Sequence, residues 1–310
     1  MAELQHNRSV RQALTRLLNR ASQCIPTTAA SSPNVAQAQR SLSNAWATET
    51  LLRSAFELAS EDELVRISNH WGVVQLYYVN YHLTQALAAA KGADRSTTHT
   101  AVQNSNRDYW VKSKIGLLPW SLGLNQAGWT NLPPNRGVND AIHVWTACTP
   151  ANDLDLVAKG IRTTRQDALA DSHARARDRK YRERVRAWIE AHPAQQPPAI
   201  PRPRLTPAEQ QACDQRVGMR GLIDYLYRLR VKTNYEDPTT FTEGPTGAGE
   251  SETVLRDLVY IAEASSLVSE RWSMQLLGRA RVTGWMLAWA QANIPTRWRN
   301  KGLNLRLQIH

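Results

Sequence analysis

The segment from about residue 61 to 91 constrains this chain more than any other. Leu64, Ile67, Trp71, Val74, Leu76, Tyr77, Tyr78, Tyr81, Leu83, Ala86 and Leu87 recur at helical spacing and cover more than half of the helix circumference. A surface helix needs only one apolar stripe, so a girdle this wide has to be buried on several sides. The segment is therefore expected at the centre of a helical bundle, with Gly92 as its C-cap. At its start, Ser60 stands three residues before Glu63, the spacing of a capping box, which also ends the helix before it.

The flanking sequence continues in helical periods. Residues 3–24 place Val10, Leu14, Leu17, Leu18 and Ala21 on one face, and a second helix runs from about 34 to 59 after the loop 26–33. Ser96-Thr97-Thr98-His99 caps a shorter helix of 97–111. Residues 115–160 differ: Trp120, Trp129 and Trp145 alternate with Pro, Gly and Asn, which suits an irregular packed connection. A long helix follows over about 152–192, then a proline-rich linker over 193–207. Thr206 and Pro207 restart helix as N-cap and first helical residue. The stretch from Gly221 to Asp237 begins amphipathic through Leu222, Tyr225, Leu226 and Leu229, then turns polar before Pro238. The glycine-rich segment 243–250 lacks the spacing of a phosphate-binding loop. Ser251 caps a last helix of about 252–293, ended by Pro295, with 297–310 left as a basic tail. No strand pattern of any length occurs.

The expectation is an all-α chain. Residues 61–111 and 206–296 would form the bundle and residues 1–60 would add helices packed on it. Residues 112–205 form an insertion holding the Trp/Pro-rich connection, the long helix and the proline-rich linker.

Charge narrows the function. The chain carries 38 Lys and Arg against 27 Asp and Glu, a formal net charge of +11. Such an excess either contacts a polyanion, nucleic acid above all, or merely maintains a solvated surface. Between residues 162 and 186 nine basic side chains face four acidic ones, nearly half the net charge of the whole chain. Arg175, Arg177, Arg179, Lys180, Arg182 and Arg186 there suit a phosphate backbone; i,i+4 pairs such as Asp178 with Arg182 are the alternative. Eleven Trp and nine Tyr against two Phe favour rings with a polar tip, suited to core, interfaces and base stacking alike.

No run of about 18 apolar residues exists, and the polar N-terminus lacks a secretory core, so no membrane association is expected. Cys24, Cys148 and Cys213 are far apart and show no CxxC spacing, which fits free thiols in the cytoplasm. Neither a HExxH metal motif nor a GxSxG elbow occurs, so no metal or cofactor is expected. What remains are polar groups on apolar helices: His70, His82 and His99, and the group Arg228, Arg230, Asn234 and Tyr235. A guanidinium beside an apolar face needs an anion or water.

Three segments in order carry a resemblance: Tyr77-Tyr-Val-Asn-Tyr-His-Leu-Thr-Gln-Ala-Leu-Ala-Ala-Ala-Lys-Gly92, then Thr97-Thr-His-Thr-Ala-Val102, then Leu226-Tyr-Arg-Leu-Arg-Val-Lys-Thr-Asn-Tyr235. With a long closing helix, they resemble the HEPN superfamily over residues 61–111 and 219–280. The resemblance implies an up-and-down four-helix bundle, commonly a homodimer, and often metal-independent RNA cleavage in toxin–antitoxin or anti-phage defence, where a protein partner is common. It implies an Arg that aligns the phosphate and a His that transfers protons, with four to six residues between the two. The chain departs from that spacing: no His follows Arg228 or Arg230 at the expected interval. Arg136–His143 and Arg186–His192 meet it, but both lie inside the insertion. On the resemblance Arg230 is the catalytic cation; no motif supplies the His, and the hypothesis in its place is that His82 or His99 brings the proton-transfer group from a neighbouring helix. Arg228, Asn234 and Tyr235 would hold the phosphate. Three functions stay open: an RNA-binding protein with ribonuclease activity, a non-catalytic nucleic-acid or protein adaptor, and a structural helical subunit.

Overall fold

The computed structural model describes residues 2–26, 32–58, 62–113, 115–124, 150–236, 248–298 and 301–310. It is an all-α structure. Helices α1 (Ala2–Cys24), α2 (Val35–Leu58) and α3 (Asp62–Ala90) lead into α4 (His99–Asn106), which widens into a π-helical turn over Arg107–Lys112. The long α5 spans Pro150–Ala191 and is followed by α6 (Pro207–Val217) and α7 (Leu222–Val231), which ends in a second π turn over Lys232–Glu236. Helices α8 (Ala248–Leu277), α9 (Arg279–Asn293) and α10 (Gly302–Ile309) complete the chain. Among the described residues the strands are a minimal ribbon: β1 (Gly123–Leu124) pairs antiparallel with β2 (Arg220–Gly221).

Helix α3 packs against α2, α8, α7 and α4, as its apolar girdle requires. Leu76, Tyr77, Val79, Leu83 and the run Ala86–Ala90 are buried, against Leu255, Val259, Leu267, Val268 and Trp272 of α8 and Leu222, Ile223 and Leu226 of α7 in one continuous core. Burying an aliphatic side chain of this kind is worth roughly 1.5–3 kcal/mol, so this helix organises the fold. The girdle is incomplete at its N-terminal end, where Ile67 and Trp71 are 48% and 56% exposed. Gly92 closes α3 at φ 79°, where a Cβ would stand 2.5 Å from the Ser32 carbonyl oxygen. Only glycine fits such a position.

Several boundaries differ from expectation. Thr98 caps α4, its Oγ1 accepting from the Ala101 amide at 3.2 Å, so this helix begins at His99. The last long helix is broken at Gly278, whose φ of 95° leaves the right-handed region. Residues 297–310 are not a loose tail: they hold α10, and the Arg306 side chain is fully buried. The expected capping box at Ser60, the connection over 125–149 and Pro238 lie outside the described residues. Where the linker ends, Thr206 and Glu209 form a reciprocal capping box, with Pro207 at the first turn.

The insertion is tied to the bundle by its first half. Ala158 and Ile161 of α5 pack with Leu118, Leu122, Leu124 and Tyr225 in a second, smaller apolar cluster. Gly160 permits this approach, because a Cβ there would lie 2.6 Å from the Tyr225 ring. Helix α6 folds back along α5 through Arg165–Asp214 at 2.5 Å and Lys180–Glu209 at 2.7 Å. Beyond Lys180, the charged side chains of α5 stand in solvent.

Candidate functional site

The conserved geometry of a helix places side chains at i and i+4 on one face, and α3 uses that spacing to present Tyr77 and Tyr81 together, with Tyr78 beside them. Tyr77 is fully buried and forms the floor; Tyr78, Tyr81 and Tyr227 of α7 are half-buried. Into this aromatic bowl project His99, from the first turn of α4, and Arg230, from the last turn of α7. The Tyr77 hydroxyl shares a 2.7 Å hydrogen bond with His99 Nδ1. The His99 ring lies 5.3 Å from that of Tyr227 and 5.4 Å from that of Tyr81. The Arg230 guanidinium sits 5.7, 5.3 and 5.8 Å from the ring centres of Tyr77, Tyr78 and Tyr227, within cation–π range.

Three sets of contacts hold these elements in register. Gln85 of α3 donates to the Ser96 carbonyl at 2.6 Å and so fixes the segment that leads into His99. Asn106 of α4 donates to Thr84 of α3 at 2.8 Å. The buried Asp224 of α7 binds Arg107, at the end of α4, and accepts from its own helix's cap amide, Gly221 N, at 2.8 Å. Arg107 in turn contacts Asn104 Oδ1. A buried carboxylate between a guanidinium and a backbone N–H is a well-compensated ion.

The electrostatics follow from burial. Desolvation, helped by the Arg230 charge, lowers the pKa of His99, so the imidazole is neutral at pH 7. Desolvation raises that of Tyr77 against the opposing pull of Arg230, so the phenol keeps its proton. A neutral imidazole bonded through Nδ1 to a phenol leaves Nε2 for a substrate, and the tautomer that donates from Nδ1 makes Nε2 a base. Arg230 has no carboxylate partner among the described residues, and its Nε is buried without a hydrogen-bond acceptor. The buried carboxylates Asp224 and Glu263 are bound to Arg107 and Arg53 instead.

Of the residues singled out from sequence, Arg230 and His99 therefore meet in one cluster. His82 lies on its flank, its ring 5.5 Å from Tyr81 and 6.3 Å from Tyr78. Burial, and secondarily Arg95, lowers the His82 pKa to about 4. Arg228 points elsewhere: it is ion-paired with Asp167 of α5. Asn234 is half-buried on the π turn after α7, and the side chain of Tyr235 lies outside the described residues. Arg175, Arg177, Arg179, Arg182 and Arg186 are exposed along α5, with Arg179 4.0 Å from Glu183. Lys180 is the exception, because it serves the α5–α6 contact through Glu209. His192 stacks on Trp188, the ring centres 4.6 Å apart.

Periodicity places Tyr77, Tyr78 and Tyr81 in the apolar girdle, and Tyr227 stands in the third resembling segment, but nothing in the sequence gathers the four into one bowl. Their polar tips, in a chain with two Phe, were the available signal. Lys91 was also passed over: it lies 4.6 Å from the ring centres of both Tyr109 and Trp272, where burial lowers its pKa. Among the described residues no three His, Cys, Asp or Glu side chains stand together as a metal site requires, and no helix is long and apolar enough to cross a membrane. Cys24 and Cys213 are free thiols, and Cys148 lies outside the described residues. No family model matches the chain, and neither a curated protein nor a solved structure matches it.

Proposed function

We propose that this chain is a HEPN-like RNA-binding protein with metal-independent endoribonuclease activity, its site being the Arg230–His99–Tyr77 cluster. One observation carries the proposal: a half-buried guanidinium with no carboxylate partner among the described residues stands beside a neutral imidazole in a bowl of tyrosine rings. A desolvated cation of this kind calls for an anion, and the rings offer faces on which a base can stack. The four segments of the resemblance, α3, α4, α7 and α8, are also packed together, α3 lying against each of the other three, and three of them, α3, α4 and α7, supply the cluster.

Cleavage by the neighbouring 2′-hydroxyl needs a base for the hydroxyl proton, a cation for the charge gathering on the phosphate, and an acid for the leaving 5′-oxygen. His99 Nε2 takes the first role and Arg230 the second. Tyr77 orients the imidazole. The acid is water, or the equivalent His99 of a second copy in the homodimer that the resemblance implies. Work in a cytoplasmic defence or toxin–antitoxin module belongs to the same proposal.

The test is incubation of the purified protein with end-labelled tRNA and total RNA, beside Arg230→Ala and His99→Ala variants. The expected loss is about 10²–10⁴-fold in each, the usual range for a positioned proton-transfer group. Intact RNA under all conditions removes the nuclease and leaves binding. The geometry supports that second reading in one respect: among the described residues His99 is the one imidazole hydrogen-bonded to the cluster, while His82 stays on its edge. Filter binding whose affinity does not change with salt removes the RNA reading altogether.

A further inference from the structure

A cleft of about 480 Å³ opens between α4, α5 and α7 on the other side of Tyr227, lined by Gln103, Thr164, Asp167, Asp171, Arg220 and Arg228 among others. Its charges are already partly matched. Asp224 at its base is neutralised by Arg107, with Arg220 3.7 Å away. Arg228 is paired with Asp167, a contact in which the two side chains are 31% and 50% exposed. Asp171 is exposed at the α5 side. One group is unmatched: Gln103 is 7% exposed, and its amide nitrogen is buried with no hydrogen-bond partner among the described residues. A buried amide donor left unsatisfied costs about 1–3 kcal/mol, and sidechains in this state usually answer to water or to a ligand.

We propose that this cleft is a phosphate subsite in which Arg228 exchanges Asp167 for a phosphate group while Gln103 donates its free amide to a phosphate oxygen. Arg228, Arg220 and Gln103 line the cleft, and their N–H donors call for an acceptor-rich anion. The Asp167–Arg228 pair spans from insertion helix to bundle helix and is exposed enough to be weak, so a phosphate can displace it. Tyr227 forms a common wall between the cleft and the aromatic bowl. A strand whose reacting phosphate lies at Arg230 would then place a second phosphate at Arg228. The inference rests on the RNA reading as far as the source of that phosphate is concerned; the subsite itself is equally suited to a free phosphate.

The experiment measures fluorescence anisotropy of a labelled single-stranded RNA 12-mer, and calorimetric titration with inorganic phosphate, for wild type, Asp167→Asn, Arg228→Gln and Gln103→Leu. Circular dichroism and melting curves confirm that each variant is folded. Asp167→Asn, which releases Arg228, should tighten RNA binding about threefold or more, the scale of an exposed ion pair. Arg228→Gln and Gln103→Leu should each weaken it about tenfold, as for loss of a hydrogen bond to a charged group. A structural ion pair alone predicts the opposite for Asp167→Asn: lower stability and no gain in affinity. RNA binding that none of the three variants changes overturns the subsite and leaves the RNA reading standing. Phosphate binding that depends on Arg228 and Gln103, with no RNA binding, keeps the subsite and overturns the RNA reading. Binding of neither overturns both.

Discussion

At the scale of single residues, the site is defined by what Arg230 lacks. The buried guanidinia have carboxylates: Arg53 has Glu263, Arg107 has Asp224, Arg165 has Asp214 and Arg306 has Glu49 and Glu270. Arg230 has three tyrosine faces, which cost no countercharge but satisfy none of its N–H groups. Arg230→Lys keeps the charge but loses the planar fork that grips a phosphate through two bonds. RNA affinity of that variant should therefore fall between wild type and Arg230→Ala, and equal affinity of the lysine variant and wild type would argue for a plain charge effect. The histidines give a second expectation. His82 has its pKa lowered from 6.5 to about 4 by burial first and Arg95 second. The unfolded chain thus binds the proton that the folded chain refuses, so the native state loses stability as pH falls from about 6.5 towards 4. The loss is complete at the lower end. Urea unfolding at pH 7.5 and pH 4.5 should show a smaller drop for His82→Gln than for wild type; equal drops would place the titration elsewhere.

Elements bring Arg230 and His99 together, and here the sequence is informative in one part and silent in another. The Gly92 cap, the linker and the Thr206 N-cap are local patterns, set by spacing within a turn or two, and each is found where the pattern puts it, as is the α3 girdle except at Ile67 and Trp71. That α4 and α7 should meet is not local. It depends on Arg107 reaching Asp224 across 117 positions of chain, and neither residue stands out in sequence from the other charges of the protein. The break at Gly278 was equally silent, since an isolated glycine is compatible with a continuous helix. The clamp nonetheless decides the site geometry. Asp224→Ala leaves Arg107 buried without a counterion and frees the α7 cap amide, which should cost about 3–5 kcal/mol. Denaturant unfolding measures this directly. Because α7 carries Arg230 while α4 carries His99, RNA affinity should drop in the same variant under conditions where it remains folded. Retained affinity would show that the two helices keep their register without the clamp.

For the whole molecule the corresponding device is Arg306. Its guanidinium is fully buried and binds Glu49 of α2 at 2.6 and 2.8 Å and Glu270 of α8 at 2.9 and 3.0 Å. Around the same carboxylates, the Trp46 indole donates to Glu270 at 2.8 Å, the Ser266 hydroxyl to Glu49 at 2.6 Å, and His310 lies 3.2 Å from Glu270. Burial alone would raise the Glu270 pKa, but Arg306 and His310 outweigh it and hold its carboxyl well below the usual range. One cation from α10 thus compensates two anions from the helices that flank α3, so the C-terminal helix acts as a lock on the bundle. Arg306→Met keeps much of the volume and leaves both carboxylates buried without the guanidinium that binds them. The expected cost is at the upper end of about 3–5 kcal/mol, read as a lower urea midpoint. The pH dependence has a definite sign. Without Arg306 the desolvation of Glu270 is no longer outweighed and its folded pKa must rise, so this carboxyl contributes more favourably below the unfolded pKa and less as pH increases through the folded one. The deficit of Arg306→Met against wild type should therefore be largest near pH 7 and shrink as the pH is lowered through the carboxylate range. Adding Glu49→Gln and Glu270→Gln should recover much of the loss at neutral pH, because amides need no counterion. A deficit independent of pH, and not relieved by the two amides, would mean that Arg306 acts through packing alone and that the ionic lock is not what holds α10 to the bundle.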